Sequence, residues 1–155
     1  MLHRPNQHRM WDTWIYPHGG KHYLCYLQRS AGCRHSVPWY WDSLGLAVSD
    51  DLLHWQEVGT ILQQDPGAED WMGTGRTWWV GDRFLINYSE ICQGAQRIRF
   101  AESTDLVHWT KLDASHDIYP DSRWYVACAE AQPEPWVHWD CLNPVPLDEG
   151  GWTGL

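Results

Sequence analysis

Residues 47–58 read AVSDDLLHWQEV, and residues 101–112 read AESTDLVHWTKL. The two stretches share the pattern A-x-S-x-D-L-x-H-W and lie 54 residues apart, from position 47 to position 101. Two further similar segments precede them in the same order, GKHYLCY at 20–26 and GDRFLIN at 81–87, which lie 61 residues apart. Since a loop of variable length absorbs the difference between the two spacings, the chain contains an internal repeat.

Each repeat predicts four short strands. Residues 23–27 and 84–88 are apolar and aromatic runs that follow a glycine turn signal, which is typical of strands. Residues 44–49 and 97–102 have the same character, and a fourth strand is expected after each His-Trp pair, over 55–62 and 109–112. The shared Ser and Asp residues favour turns in which side-chain oxygens accept hydrogen bonds from nearby backbone N–H groups. Helical periodicity longer than a turn or two is absent from the sequence.

We therefore predict an all-β protein made of four-stranded antiparallel blades of a β-propeller, because a repeat of this length is typical of propeller blades. Blade one is expected at about 11–62, blade two at about 71–112, and the start of blade three at about 136–155, all within one partial propeller domain over residues 1–155. Propellers close with about 4–8 blades. About two and a half blades therefore predict a fragment that needs missing C-terminal blades, or a second chain, to close the ring.

Charge and composition exclude several classes of partner. The chain has 11 Lys and Arg against 20 Asp and Glu, a formal net charge of −9. A protein that binds phosphate backbones or anionic membranes needs a basic surface, so we expect no nucleic acid or membrane partner. No apolar stretch approaches the ~18 residues of a membrane span. The polar N-terminus lacks the apolar run of a signal peptide, which predicts a cytoplasmic protein.

Cysteine and histidine patterns predict no metal or disulfide. The five cysteines are odd in number and form no C-x-x-C pair, so we expect reduced, mostly buried thiols. His18 and His22 have the spacing of helical metal ligands, but their segment is predicted as turn and strand. His54 and His108 recur in the repeat, as do Trp55 and Trp109. Recurrence in each blade favours a structural role, with the tryptophans packing between blades. We expect no cofactor.

Two Trp-Asp pairs are the candidate catalytic positions. Asp12 and Asp140 begin predicted blades, on innermost strands whose ends surround a central funnel. Carboxylates that face one another across such a funnel suit glycoside hydrolysis, and indole faces suit the apolar surfaces of sugars. The alternative is structural, since an aspartate in a β-protein is commonly a turn residue and Trp-Asp is also a structural dipeptide of other propellers.

These motifs resemble the five-bladed β-propeller glycosidases. The resemblance rests on Trp11-Asp12, on WMGTGRTWW at 71–79, on the S-x-D-L-x-H-W repeat and on Trp139-Asp140. It is strongest for glycoside hydrolase family 32, the invertases, levanases and inulinases, with family 43 close behind. It implies a hydrolase of β-fructosides or related furanosides in carbohydrate metabolism, with Asp12 as nucleophile (family 32) or general base (family 43). Asp140 would stabilise the transition state.

The resemblance also implies that the chain lacks the general acid and that certain of its residues line a sugar pocket. The general-acid glutamate of these families belongs to the next blade, beyond residue 155, so the 155-residue chain alone is expected to be inactive. Candidate sugar-binding residues are Trp11, Trp14, Trp71 and Arg76, with core packing as the alternative role of each. Two other functions stay open at this point, a non-catalytic carbohydrate-binding propeller and a structural propeller scaffold. The sugar, the linkage and the stereochemical course also stay open.

Overall fold

The chain folds into two four-stranded antiparallel sheets and a short hairpin. A computed structural model describes residues 3–33, 35–37, 40–65, 71–92, 95–125, 139 and 141–154. No helix in this part of the chain is long and apolar enough to cross a membrane. The strands are β1 (Arg9–His18), β2 (Lys21–Arg29), β3 (Ser43–Ser49), β4 (Gln56–Gln63), β5 (Met72–Trp79), β6 (Phe84–Cys92), β7 (Ala95–Ser103), β8 (Thr110–Lys111), β9 (Pro144–Pro146) and β10 (Trp152–Gly154), with one 3₁₀ turn at Ala114–His116.

Neighbouring strands in both large sheets follow the order of the chain, β1-β2-β3-β4 and β5-β6-β7-β8. Each sheet is therefore an antiparallel meander, which the chain forms with short turns and no crossover. The all-β class and the four-stranded antiparallel units predicted from the repeat are confirmed.

The repeated pattern folds into the same turn twice. The Ser49 hydroxyl oxygen accepts hydrogen bonds from the backbone N–H groups two and three residues later, at 3.2 and 2.9 Å. Asp51 Oδ1 likewise accepts from two N–H groups, at 2.9 and 2.8 Å, and Asp51 Oδ2 accepts from Nδ1 of His54 at 2.6 Å. The second copy makes the corresponding bonds through Ser103, Asp105 and His108. The side-chain to backbone turns predicted at the repeat are confirmed.

The strand register changes the alignment of the repeat by one residue. His22 of β2 pairs with Ser49 of β3, and Phe84 of β6 pairs with Ser103 of β7. Because Ser49 and Ser103 are equivalent in the repeat, His22 corresponds to Phe84, an offset of 62 (from 22 to 84) and not 61. A slip of one residue exchanges the two faces of a strand, so the corrected offset decides which side chains of the two sheets are equivalent.

The main hydrophobic core lies between the two sheets. Trp109 packs against this core, as predicted for inter-blade packing, and Trp55 packs against a smaller cluster of Leu24, Tyr26 and Ala47 within the first sheet. The buried members of the main core are Cys25, Leu27, Leu44, Leu46 and Leu62 from the first sheet and Met72, Ile86, Tyr88 and Ala101 from the second. The two sheets are therefore packed face to face, as adjacent blades are.

The C-terminal hairpin covers the opposite face of the second sheet. Asn87 lies between two core residues of β6, so its side chain points away from the core, and its Nδ2 donates to the carbonyl oxygen of Leu142 at 2.8 Å. The ring of Trp152 in β10 lies 6.4 Å from that of Trp78 in β5. Residues 126–138 and Asp140 lie outside the described residues. The blade boundaries, the third blade and the division into one partial domain therefore stay predictions.

Candidate functional site

A β-bulge presents the candidate catalytic aspartate. The register of β1 with β2 shifts between Met10 and Thr13, so Trp11 and Asp12 together lie opposite a single residue of β2. Such a bulge bends the strand and re-aims the side chains at the extra residue, and bulges are over-represented beside active sites. Both residues of this bulge are exposed.

The neighbouring strand β5 has the same irregularity at the same position. Its register with β6 shifts between Met72 and Gly75, and the offset of 62 makes Thr74 the equivalent of Asp12. Gly75 is required there, because a Cβ atom at this position would lie 1.7 Å from the backbone oxygen of Asn87. The two bulges therefore lie at equivalent places in adjacent innermost strands.

A hydrogen bond joins the two bulges. Thr74 Oγ1 donates to Asp12 Oδ2 at 2.5 Å, across 62 residues of sequence. Asp12 Oδ1 makes no hydrogen bond within the described residues. The carboxylate of this exposed residue is thus oriented through one oxygen, which leaves the other to contact a bound ligand.

A cleft of about 150 Å³ opens between the two bulges. Trp11, 60% exposed, forms one wall and stacks on Trp41 with ring centroids 5.9 Å apart and planes 12° from parallel. Asp12 is the one carboxylate among the described residues that line this cleft. The lining residues are Trp11, Asp12, Leu27, Trp41, Trp71, Met72, Gly73, Thr74, Ile91 and Gln96.

Backbone hydrogen bonds fix the tryptophan walls. The N–H of Met72 donates to the carbonyl oxygen of Trp41 at 2.7 Å, which ties the loop before β3 to the start of β5. The N–H of Ile91 donates to the carbonyl oxygen of Trp71 at 3.1 Å. Both hydrogen bonds hold the backbone beside the cleft. The positions of Trp41 and Trp71 are therefore fixed by contacts with the strands.

A buried charge network lies near the cleft, between the two sheets. Glu90, whose side chain is 2% exposed, pairs with Arg97 at 2.9 Å and with Arg99 at 3.0 Å. Arg99 also reaches Asp65, just after β4, at 2.6 Å, and Lys111 reaches the same carboxylate at 2.5 Å. The Lys111 hydrogen bond is the largest cause that lowers the pKa of Asp65, with Arg99 adding to it against the effect of burial.

Comparisons with known proteins relate this geometry to glycoside hydrolases. No protein-family model matches the chain, and no curated protein matches it by sequence. Among solved structures, a family 32 β-fructofuranosidase of Bombyx mori matches with a TM-score of 0.65 and 17% identity, over 93% of this chain and 28% of that one. A β-fructofuranosidase of Schwanniomyces occidentalis in complex with fructosyl-erythritol matches with a TM-score of 0.58 and 18% identity, over 72% of this chain and 25% of that one.

A glycosyl hydrolase of Bacteroides ovatus also matches, with a TM-score of 0.51 and 18% identity, over 66% of this chain and 30% of that one. The chain therefore has the fold of part of a β-propeller, as these matched structures do. The chain spans between a quarter and a third of the length of the matched structures named here. At these identities the likeness establishes the fold of the propeller and not its activity.

Five of the predicted site residues lie in the described part of the chain, and three of these lie together while two do not. Trp11, Asp12 and Trp71 line the same cleft. Trp14 instead packs against the inter-sheet core, and its Nε1 donates to Thr77 Oγ1 at 3.0 Å. Arg76 is exposed and does not line the cleft. For Trp14 the observed contacts match the packing alternative, and the sugar-binding role of each residue stays a prediction.

The second predicted aspartate, Asp140, lies outside the described residues, but its neighbour is anchored at the cleft. The backbone N–H of Trp139 donates to Oε1 of Gln96 at 2.7 Å, and Gln96 is one of the lining residues. The Trp139 ring lies 4.8 Å from that of Tyr125. The chain therefore passes the propeller cleft immediately before residue 140.

Sequence reasoning predicted three of the ten described lining residues and missed seven, among them Trp41, Thr74 and Gln96. The sequence alone does not reveal Thr74, because its equivalence to Asp12 follows from the offset of 62 that only the strand register gives. Gln96 carries no local signal, since its role arises from a contact with a residue 43 positions away. No group of three His, Cys, Asp or Glu side chains within the described ranges is arranged to hold a metal ion.

Proposed function

We propose that the protein is part of a propeller glycosidase that hydrolyses β-fructosides or related furanosides. The observation that carries this proposal is the position of Asp12, in a bulge, oriented by Thr74 and walled by tryptophans in a cleft. The glycoside hydrolase fold supports it. Exposed indole faces beside a carboxylate suit a ligand with apolar C–H surfaces and polar rims.

In the proposed reaction, Asp12 attacks the anomeric carbon or activates the water that does so. Oδ1 is the reacting oxygen, because Thr74 holds Oδ2. The glycosidic bond breaks through an oxocarbenium-like transition state, and a second carboxylic acid protonates the departing oxygen. A separation of about 5–5.5 Å between the two carboxyl groups would give retention of configuration, and about 6.5–9.5 Å would give inversion.

We propose that the second acid comes from another blade. Asp12 is the one carboxylate in the described lining of the cleft, and a single carboxylate cannot act both as nucleophile and as the acid of the same step. The ring would be closed by further C-terminal blades or by a second chain. The 155-residue chain on its own is therefore expected to show no glycosidase turnover.

Replacing Asp12 tests the proposal in a protein that carries this sequence together with the blades that close the ring. Asp12→Asn keeps the shape and the Thr74 contact but removes the nucleophile or base, so hydrolysis of a β-fructoside should fall by at least about a hundredfold. Asp82→Asn, at an exposed carboxylate in the β5–β6 turn, is the matched control and should leave the rate unchanged. Hydrolysis by Asp12→Asn within a few-fold of the unmodified protein would refute the assignment.

A second candidate function is carbohydrate binding without catalysis. The presence of one carboxylate in the described lining of the cleft favours it, because stacking on Trp11 needs no acid pair. This function predicts that the closed propeller binds a fructan or arabinan without hydrolysing it, and that Asp12→Asn binds equally well. Turnover of either polysaccharide that depends on Asp12 would exclude it.

A further inference from the structure

A second and larger cleft lies beside the start of β1. It has a volume of about 670 Å³ and is lined by residues 4–9, by residues 29–31, and by Cys33 and Ser36. A volume of this size is within the range of small-molecule sites. The cleft does not share a lining residue with the Asp12 cleft, so it is a separate feature of the molecule.

The lining of this cleft is basic, although the chain as a whole carries a formal charge of −9. Arg4, His8, Arg9 and Arg29 line it, and no carboxylate is among its described lining residues. Arg9 pairs directly with Arg29 across β1 and β2. Residues directly opposite on paired strands point to the same face, and like charges there destabilise the sheet. A bound anion would relieve this repulsion.

Two carboxylates near this cleft hydrogen-bond to other groups and form no ion pair with its arginines within the described part of the chain. Asp42 accepts from the Ser30 N–H at 2.8 Å and from the Ser30 hydroxyl at 2.5 Å, and Glu57 accepts from the N–H of Asn6 at 2.9 Å. Within the described part of the chain, Arg4 and Arg9 make no ion pair and no side-chain hydrogen bond.

The third arginine has only part of its hydrogen-bonding capacity engaged. Arg29 donates to the carbonyl oxygens of His35 and Val37, both at 2.5 Å. These bonds hold its guanidinium in place at the wall of the cleft. A guanidinium has five N–H donors, so three remain for a ligand.

We propose that this cleft is a binding site for a small oxyanion, with phosphate or a phosphate ester as its ligand class. Guanidinium groups bind such oxyanions through paired, charge-assisted hydrogen bonds, and Arg4 and Arg9 have donors to offer. The site does not depend on the hydrolytic activity proposed above, because it uses other residues and is tested by binding.

The basic cleft and the Asp12 cleft are both lined by residues of β1. Arg9 precedes Trp11 by two residues, which corresponds to about 7 Å along a strand, and the bulge begins only at Trp11. A phosphate group on a sugar that stacks on Trp11 could therefore reach the arginines, and free phosphate would occupy the same position alone. Free phosphate and a phosphate ester both present a tetrahedral oxyanion, and the experiment below distinguishes between these two ligands.

The test uses the rate at which Cys33 is alkylated. Cys33 lines the basic cleft and is partly exposed, whereas Cys141 is exposed elsewhere. Inorganic phosphate is titrated at constant ionic strength, and iodoacetamide labelling of each cysteine is followed by peptide mass spectrometry. We expect saturable slowing at Cys33 and none at Cys141, because a bound anion blocks access to the thiol that lines this cleft.

Variants identify the groups that bind the anion. Arg4→Gln with Arg9→Gln should weaken the phosphate effect by at least about tenfold, as expected when charge-assisted hydrogen bonds are removed. Arg83→Gln, at an exposed arginine of the β5–β6 turn, is the control and should keep the full effect. The proposal is wrong if phosphate does not slow labelling of Cys33, or if the double variant responds like the unmodified chain while its circular dichroism shows a folded protein.

A sugar phosphate and the same sugar without phosphate distinguish the two sources. If the ligand is a phosphate ester, the sugar phosphate protects Cys33 at lower concentrations than inorganic phosphate does, and Trp11→Ala removes that gain. If the ligand is free phosphate, the two compounds protect equally. Protection by the neutral sugar at the same concentrations would contradict the oxyanion site. Since none of these measurements uses hydrolysis, failure here and failure of the proposed catalytic function are separate results.

Discussion

At the scale of single residues, the Ser-x-Asp-Leu-x-His-Trp pattern combines three stabilising effects in one turn. Asp105 accepts from two backbone N–H groups and from the His108 ring. The His108 ring is the largest cause that lowers the pKa of the Asp105 carboxyl well below its usual range, followed by the backbone N–H of His108. The recurring Asp-His pair thus stabilises the turn, and neither of its residues lines the cleft.

Acid should weaken this turn. Because the pKa of Asp105 is lowered in the folded state, its contribution is fully present above the ordinary carboxyl pKa of about 3.9 and is lost progressively as the pH falls from that value through the lowered folded-state pKa. Asp105→Asn should cost about 1 kcal/mol at pH 7 and less at pH 2.5, where part of the contribution is lost, measured by urea unfolding at both pH values. Thr104→Ser, at the exposed neighbouring position, is the control. An equal loss at both pH values would contradict the role of the charge.

At the scale of strands and turns, the sequence predicts the type of each element better than its register. Hydrophobic runs and turn residues are local signals, so the four strands of each sheet and the repeated turn follow from them. The one-residue correction to the repeat alignment could not be predicted, because it comes from strand pairing: His18 pairs with Lys21 and Trp79 with Phe84, which makes Gly81 the equivalent of Gly19 and not of Gly20. The bulge at Asp12 was also missed, since a bulge depends on pairing between strands and not on one segment.

Gly75 tests the importance of the bulge in β5. An added Cβ would meet the backbone oxygen of Asn87, which cannot move aside as a flexible side chain can. Gly75→Ala should therefore lower the free energy of unfolding by at least about 2 kcal/mol. Gly32→Ala is the matched control, because nothing lies within 4 Å of a Cβ atom there, and it should change stability little. Urea denaturation measures both, and equal stability of the two variants would contradict the close packing.

At the scale of the whole molecule, contacts between distant residues join the two sheets and build the site. Arg99 reaches Asp65 across 34 residues, and Thr74 reaches Asp12 across 62. The sequence predicts Asp12, Trp11 and Trp71 as site residues because they stand in recognisable motifs. It cannot predict the role of Gln96 or the buried ion pairs, because these contacts form only when one sheet packs on the other.

Among the described residues, Glu90 is one of two buried carboxylates, with Asp117, that pair with Arg97 and Arg99. Its removal leaves Arg97 and Arg99 buried with less compensating charge, so Glu90→Gln should cost about 3 kcal/mol of unfolding free energy. Glu102→Gln is the control, because Glu102 pairs with Arg83 at 3.2 Å nearer the surface, where such a pair is worth at most about 1 kcal/mol. Thermal and urea unfolding of both variants provide the comparison. A loss at Glu90 no larger than that at Glu102 would show that the network adds nothing to stability.

The central claim is that Asp12 is the group that reacts with a bound sugar. The most direct test is a crystal structure of the closed propeller with Asp12→Asn in complex with a β-fructoside. We expect the sugar ring against Trp11, with its anomeric carbon about 3–3.5 Å from the side chain of residue 12 for a nucleophile, or one water molecule further away for a base. A sugar bound in the cleft with its anomeric carbon turned away from residue 12, or bound at another place on the propeller, would contradict the account.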